Sequence, residues 1–150
     1  VKANNSNTHV VVDVVGYFSA SASNVVQASS ALSSTFAAVY VDCITAAYVP
    51  GVNERVAVSS VSSIVGSASG TTIYASNVYS TDGGTTWLTM SLEGQLMRMT
   101  TVVSAWVALP NVSYLNLTAG NSYQFGIRYT RETGAATITD GRCEILVAPR

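Results

Sequence analysis

Residues 122–131 read SYQFGIRYTR, and their alternation decides the fold. Tyr123, Phe125, Ile127 and Tyr129 fall on one side of an extended chain. Gln124, Gly126, Arg128 and Thr130 fall on the other. Period-two alternation of this kind marks a strand with one apolar face in a core. The same pattern recurs outward from it. In RCEILV (142–147), Cys143, Ile145 and Val147 share a side. In FAAVYVDC (36–43), alternation places Cys43 with Val41 and Val39.

Val, Thr, Tyr and Ser dominate residues 35–150, a composition that favours strands. Strands are expected at about 36–44, 54–65, 71–80, 86–92, 96–108, 112–118, 122–131, 135–139 and 142–148. Turn signals separate them: Pro50-Gly51, Gly66 to Gly70, Asp82-Gly83-Gly84, Glu93-Gly94, Pro110-Asn111, Gly120-Asn121, Gly134 and Asp140-Gly141. No apolar helical period competes. The expected fold is all-β, a jelly-roll-like antiparallel β-sandwich with an extended N-terminal strand arm. Three segments follow: an arm at 1–18, a Ser/Ala-rich linker at 19–34 (SASASNVVQASSALSS), and the sandwich at 35–150. Ser competes locally for backbone hydrogen bonds, so the linker is read as flexible or extended, not helical.

Charged residues make up 10% of the 150, against roughly a quarter in an average soluble domain. Ser and Thr fill the gap, at 20 and 16 residues. A net charge of −1 gives no basic footprint for nucleic acid. No apolar run reaches the length of a membrane-spanning helix. The chain starts at Val1 with no leader pattern, which is read as a processed product or a fragment. With one His and eight carboxylates, little acid–base or metal chemistry can be assembled. No cofactor, metal site or catalytic set is expected. His9, in the arm, reads as a solvated or strand-edge residue and completes no Ser-His-acid set.

Cys43 and Cys143 lie 100 positions apart, in the first and last strands of the sandwich. In a secreted domain the default is a disulfide pinning those strands; the alternative is two buried thiols. A loop of this length gives roughly 4–5 kcal/mol in the chain-entropy model. Asn4, Asn111 and Asn116 head glycosylation sequons, read as chance matches. Arg128 and Arg131, with Glu132, read as a solvated strand face or a subunit contact.

The segment Ser80-Thr81-Asp82-Gly83-Gly84-Thr85-Thr86-Trp87 resembles an Asp box, the S-x-D-x-G-x-T-W hairpin of sialidases and other secreted β proteins. The resemblance implies that Asp82 holds the turn, glycine supplies positive φ, and Trp87 packs beneath. Sialidase chemistry needs an arginine cluster, a Tyr nucleophile and acidic partners that this chain does not assemble. The box therefore reads as structural, with Ser80, Asp82, Gly84 and Trp87 as its frame, and a sugar-contacting loop as the alternative. Residues 10–18, VVVDVVGYF, resemble a segment that ends repeats in bacterial secreted and cell-surface proteins. That implies an extracellular bacterial origin and a strand that completes a β domain. The LNLTAGNSY turn (115–123), the strand count and the terminal strand resemble a bacterial jelly roll of the trimeric tumour-necrosis-factor-like shape.

Val10, Val12, Val14 and Phe18 face one way along the arm, and Val11, Val15 and Tyr17 the other, with Asp13. A strand apolar on both faces must be covered on both. The leading expectation is a non-enzymatic structural subunit of an extracellular filament or surface assembly. Its partner is a second copy of itself, with Val10, Val12, Val14, Tyr17 and Phe18 added as a strand into a neighbouring subunit. The alternative is a carbohydrate-binding or adhesive module, with Trp87, Trp106 and tyrosines meeting glycans.

Overall fold

The computed structural model describes residues 26–31, 39–66, 72–90, 97–100, 107–133 and 138–150. Residues 1–18, and with them the arm and His9, lie outside the described residues, as does Trp106. Nine strands are described: β1 (Val26–Ala31), β2 (Val39–Asp42), β3 (Glu54–Gly66), β4 (Thr72–Ser80), β5 (Leu88–Thr89), β6 (Met97–Thr100), β7 (Val107–Leu117), β8 (Gln124–Thr133) and β9 (Ile138–Pro149). They form two antiparallel sheets. Sheet I has the order β1-β9-β3-β7; sheet II has β2-β8-β4-β5, with β6 also paired to β4.

The pairing is nested. The first strand pairs with the last, β2 with β8, β3 with β7, and β4 with β5 and β6. A long antiparallel ribbon rolled so that β9 also meets β3, and β8 also meets β4, gives this order. That is a jelly roll, an all-β sandwich as the alternation required.

The core lies between the sheets. Val56, Val58 and Ile64 of β3 and Cys143, Ile145 and Val147 of β9 come from sheet I. Ile73 and Ala75 of β4 and Tyr123, Phe125, Ile127 and Tyr129 on and beside β8 come from sheet II. The four alternating residues of 122–131 are thus all buried. A polar seam crosses the same layer. Ser60 donates to Asn77 Oδ1 at 2.6 Å, and Asn77 Nδ2 donates to Val58 O at 3.0 Å and Ser113 Oγ at 3.3 Å. Ser62 Oγ and the Tyr129 hydroxyl meet at 2.5 Å. These bonds tie β3 and β7 to β4 and β8 and satisfy groups whose burial alone is unfavourable.

Four expectations need correction. The stretch read as a linker holds β1 at 26–31, in register with β9 from Val26↔Val147 to Ala31↔Arg142. Its serines and alanines suit an edge strand because small side chains cost little to order. Pro110-Asn111 is not a turn but part of β7. Proline is accommodated because β7 is the outer strand of sheet I, where a missing N–H can face away from the ladder. Asp140-Gly141 likewise lies inside β9, next to the register shift where Val65 pairs Asp140 and Gly66 pairs Ile138. Of the expected strand 86–92, the described residues 86–90 hold only the two-residue β5, and 91–92 lie outside the described residues.

The fifth difference concerns Cys43. Strict alternation places it beside Val41. Val41 Cγ1 lies instead against Gly126, on the outer side of sheet II, between the core residues Phe125 and Ile127. Cys43 is buried in the core because its φ is +53°, which reverses the direction of its side chain at the end of β2.

Candidate functional site

Three features stand out on this scaffold: the bridge between the sheets, the hairpin after β4, and the outward face of sheet I. The bridge joins Cys43, the residue after β2, to Cys143 in the middle of β9, with 6.1 Å between their Cα atoms. Both cysteines are buried. Beyond Cys43 the chain stays paired to β8. Thr45 N–H donates to Phe125 O at 2.9 Å, and Tyr48 and Tyr123 exchange bonds at 2.8 and 2.9 Å. The bond therefore clamps the β2 side of sheet II to β9 of sheet I.

The hairpin gathers the five pattern residues of the S-x-D-x-G-x-T-W stretch, Ser80, Asp82, Gly84, Thr86 and Trp87. The Ser80 hydroxyl donates to Asp82 Oδ1 at 2.7 Å and accepts the N–H of Gly84 at 2.9 Å. Asp82 Oδ1 also accepts the Thr86 N–H at 2.8 Å, and Asp82 O accepts the Thr85 hydroxyl at 3.2 Å. Gly83 and Gly84 take φ of +72° and +87°, open to glycine and strained for other residues. Bonds to Ser80 and to the Thr86 backbone and hydroxyl hold the Asp82 carboxyl at about 2, below its usual 3.8. Donors aimed at the ionised form favour it.

A folded-state pKa below the unfolded one stabilises the fold above the unfolded value. The Asp82 contribution is thus complete above about pH 4 and fades as pH falls towards 2. Asp82→Ala is expected to lower the melting temperature at pH 7 and to narrow its gap from the parent as pH drops from 4 to 2. Thermal melts by circular dichroism across that range check it; a gap independent of pH contradicts it.

Trp87 is half-buried, and its ring lies over glycine. A Cβ on Gly126 would meet Val41 Cγ1 at 3.0 Å and Trp87 Cζ3 at 3.4 Å; one on Gly84 would meet Trp87 Cζ2 at 3.5 Å. The indole is also fixed through its own backbone. Arg128 donates through Nη2 to Trp87 O, and through Nη1 to Thr89 Oγ1 at 3.3 Å. Arg128 therefore ties the hairpin to β8 and is not a free charge on a solvated face. Gly126→Ala is expected to cost about 1–3 kcal/mol, the usual penalty for overfilling a packed site. A red shift of tryptophan emission should accompany it, and urea titration followed by fluorescence measures both.

Asn111 is buried in β7 and Asn116 is exposed, so the sequon at 111 does not present its side chain to solvent. Among the described residues, no group of three His, Cys, Asp or Glu side chains is placed to hold a metal ion.

The sequence reading missed the outward face of sheet I. Val61 of β3, Val112 of β7 and Leu146 of β9 are exposed there, around a shallow groove of about 600 Å³. Gln27, Ser29, Ser59, Pro110 and Glu144 complete its rim. Pairing sets these side chains in rows. Ser59 stands beside Val112 and Leu146, and Val61 beside Pro110 and Glu144. At one end Arg55 and Arg150 both lie over the Tyr114 ring, each 4.9 Å from its centre. The signal was present in Ile145-Leu146-Val147, where an apolar residue occupies the position that alternation assigns to solvent.

No protein-family model matches the chain, and no curated protein matches it. Among solved structures it is similar to a chain of the tripod from the baseplate of bacteriophage Tuc2009. The identity is 14% and the TM-score 0.48, over 100% of this chain and 79% of that one.

Proposed function

We propose that the chain is a structural subunit of an extracellular filament or surface assembly, built from copies of itself and joined by its N-terminal strand arm. The observation that carries this reading is the outward face of sheet I. Val61, Val112 and Leu146 stand 37%, 50% and 42% exposed in one four-stranded surface. Such a patch marks a contact surface more readily than a solvated wall. The arm supplies the second element: apolar side chains on both faces, upstream of β1, which is the outer strand of sheet I. A disulfide between the sheets and a bonded hairpin suit a part that bears load outside the cell. In this reading the chain performs no catalysis.

The glycan-binding alternative draws on Trp87 as a stacking platform. Its ring lies against Gly84 and Gly126, which supports a role in holding the hairpin. Sedimentation and negative-stain imaging of the native protein test the proposal. Oligomers or filaments of regular mass are expected; a monomer at all concentrations overturns it.

A further inference from the structure

The edge of a sheet presents backbone donors and acceptors to any passing strand, and folded proteins blunt it with charge, proline, brevity or a cover. Among the described strands, sheet I ends at β1 and β7, and sheet II ends at β2 and at β5 with β6. Three of these four edges carry such a guard. β7 holds Pro110, which has no N–H to give. β2 has 4 residues and closes on Asp42. β5 has 2 residues, and β6 has 4, with Arg98 among them. β1 is the exception. Its 6 residues, VQASSA, include no charge, proline or glycine. They run in unbroken register with β9, without a bulge to twist the edge away.

We infer that the edge of β1 at Val26–Ser29, on the side away from β9, accepts residues 10–18 of a second copy as an added strand. The pattern of side chains names this occupant. Val26 and Ala28 are partly buried against the core, while Gln27 and Ser29 are exposed. A strand laid beside them continues both rows. Val10, Val12, Val14 and Phe18 suit the core row. Val11, Asp13, Val15 and Tyr17 suit the outward row, where the Asp13 carboxylate meets water. Ladder bonds then supply affinity and the alternating side chains supply specificity, as in other strand additions. The tether selects a second copy over the same one. Folding the arm back on its own β1 takes a tight turn within residues 19–25. Those residues read SASASNV, with no glycine, no proline and no Asn-Gly or Asp-Gly pair to build one. Run straight, the same residues reach about 24 Å, so two copies whose β1 edges come within that distance can exchange arms.

Placing the arm at this edge rests on the self-assembly reading, for which it supplies the acceptor. Amide exchange of the full chain, read by mass spectrometry across the concentrations over which it assembles, tests it. Exchange in residues 26–31 is expected to slow about tenfold or more on assembly, while residues 142–147 of β9, already paired on both sides, keep their rate. Proline in the full chain gives a second reading. Neighbouring N–H groups of a strand point to opposite sides, so of Gln27→Pro and Ala28→Pro one removes a donor aimed at β9 and the other a donor aimed at the edge. The edge variant is expected to melt near the parent and to assemble about tenfold or more weakly. An assembled parent whose residues 26–31 exchange as fast as in the dilute chain, or unchanged assembly in both proline variants, overturns β1 as the acceptor and leaves the structural reading standing. A parent chain that stays monomeric at all concentrations overturns both.

Discussion

Removing the Cys43–Cys143 bond, in the double variant Cys43→Ser/Cys143→Ser, is expected to lower the unfolding free energy by about 4–5 kcal/mol. The cross-link closes a loop of 100 residues, so it restricts the unfolded chain strongly. Against a typical total of 5–15 kcal/mol, the loss takes the domain close to its threshold. Cys43 sits at φ +53°, where a side chain costs roughly 1–2 kcal/mol, and the bond to β9 holds it there. Cys43→Gly/Cys143→Ser should therefore recover part of the loss, since glycine accepts that conformation freely. Urea titrations with and without reductant measure the difference. Two alkylatable thiols in native protein, or reductant-insensitive stability, contradict it.

The sheets were legible wherever one face is buried and the other wet. On and just before β8 the four residues assigned inward are all in the core, and in β9 Cys143, Ile145 and Val147 are too. Alternation failed where the backbone leaves the pleat. At Cys43 a single left-handed residue separates the cysteine from Val41 and sends the two to opposite faces of sheet II. Turn chemistry failed where a turn signal falls on a sheet edge. Pro110 lies in β7, and sequence alone does not say that β7 has one neighbour in its sheet among the described strands. β1 was hidden by composition. Alanine and serine carry little strand signal, and its pairing with β9, more than 100 residues away, is a tertiary fact. The hairpin frame of Ser80, Asp82, Gly84 and Trp87 was readable because its bonds are local. Arg128 and Gly126, which complete it, come from a different strand. The outward face of sheet I was harder still. Its rows exist only once four strands are in register.

Deleting residues 1–18 is expected to have the largest effect on assembly, reducing the native protein to folded monomers. The deletion leaves every described strand in place, β1 included. Val10, Val12, Val14 and Phe18 each contribute roughly 1.5–3 kcal/mol when buried, with Tyr17 and ladder hydrogen bonds in addition. That is ample to hold subunits together after the entropy of ordering the arm is met. The position of β1 sharpens the expectation. Since the strand begins at Val26, the tether between arm and sandwich is residues 19–25, with a reach of about 24 Å fully extended. The longer span of a linker running to residue 34 is not available. The acceptor must lie close to the β1 end of sheet I, on an adjoining copy or on the same one. Asp13, alone among the valines, has to point to solvent or to a cation there. Sedimentation distinguishes the two acceptors. An arm exchanged between copies gives loss of high-mass species with the melting transition retained. An arm folded back on its own sandwich gives a lowered melting temperature and unchanged mass, which rules the exchange out.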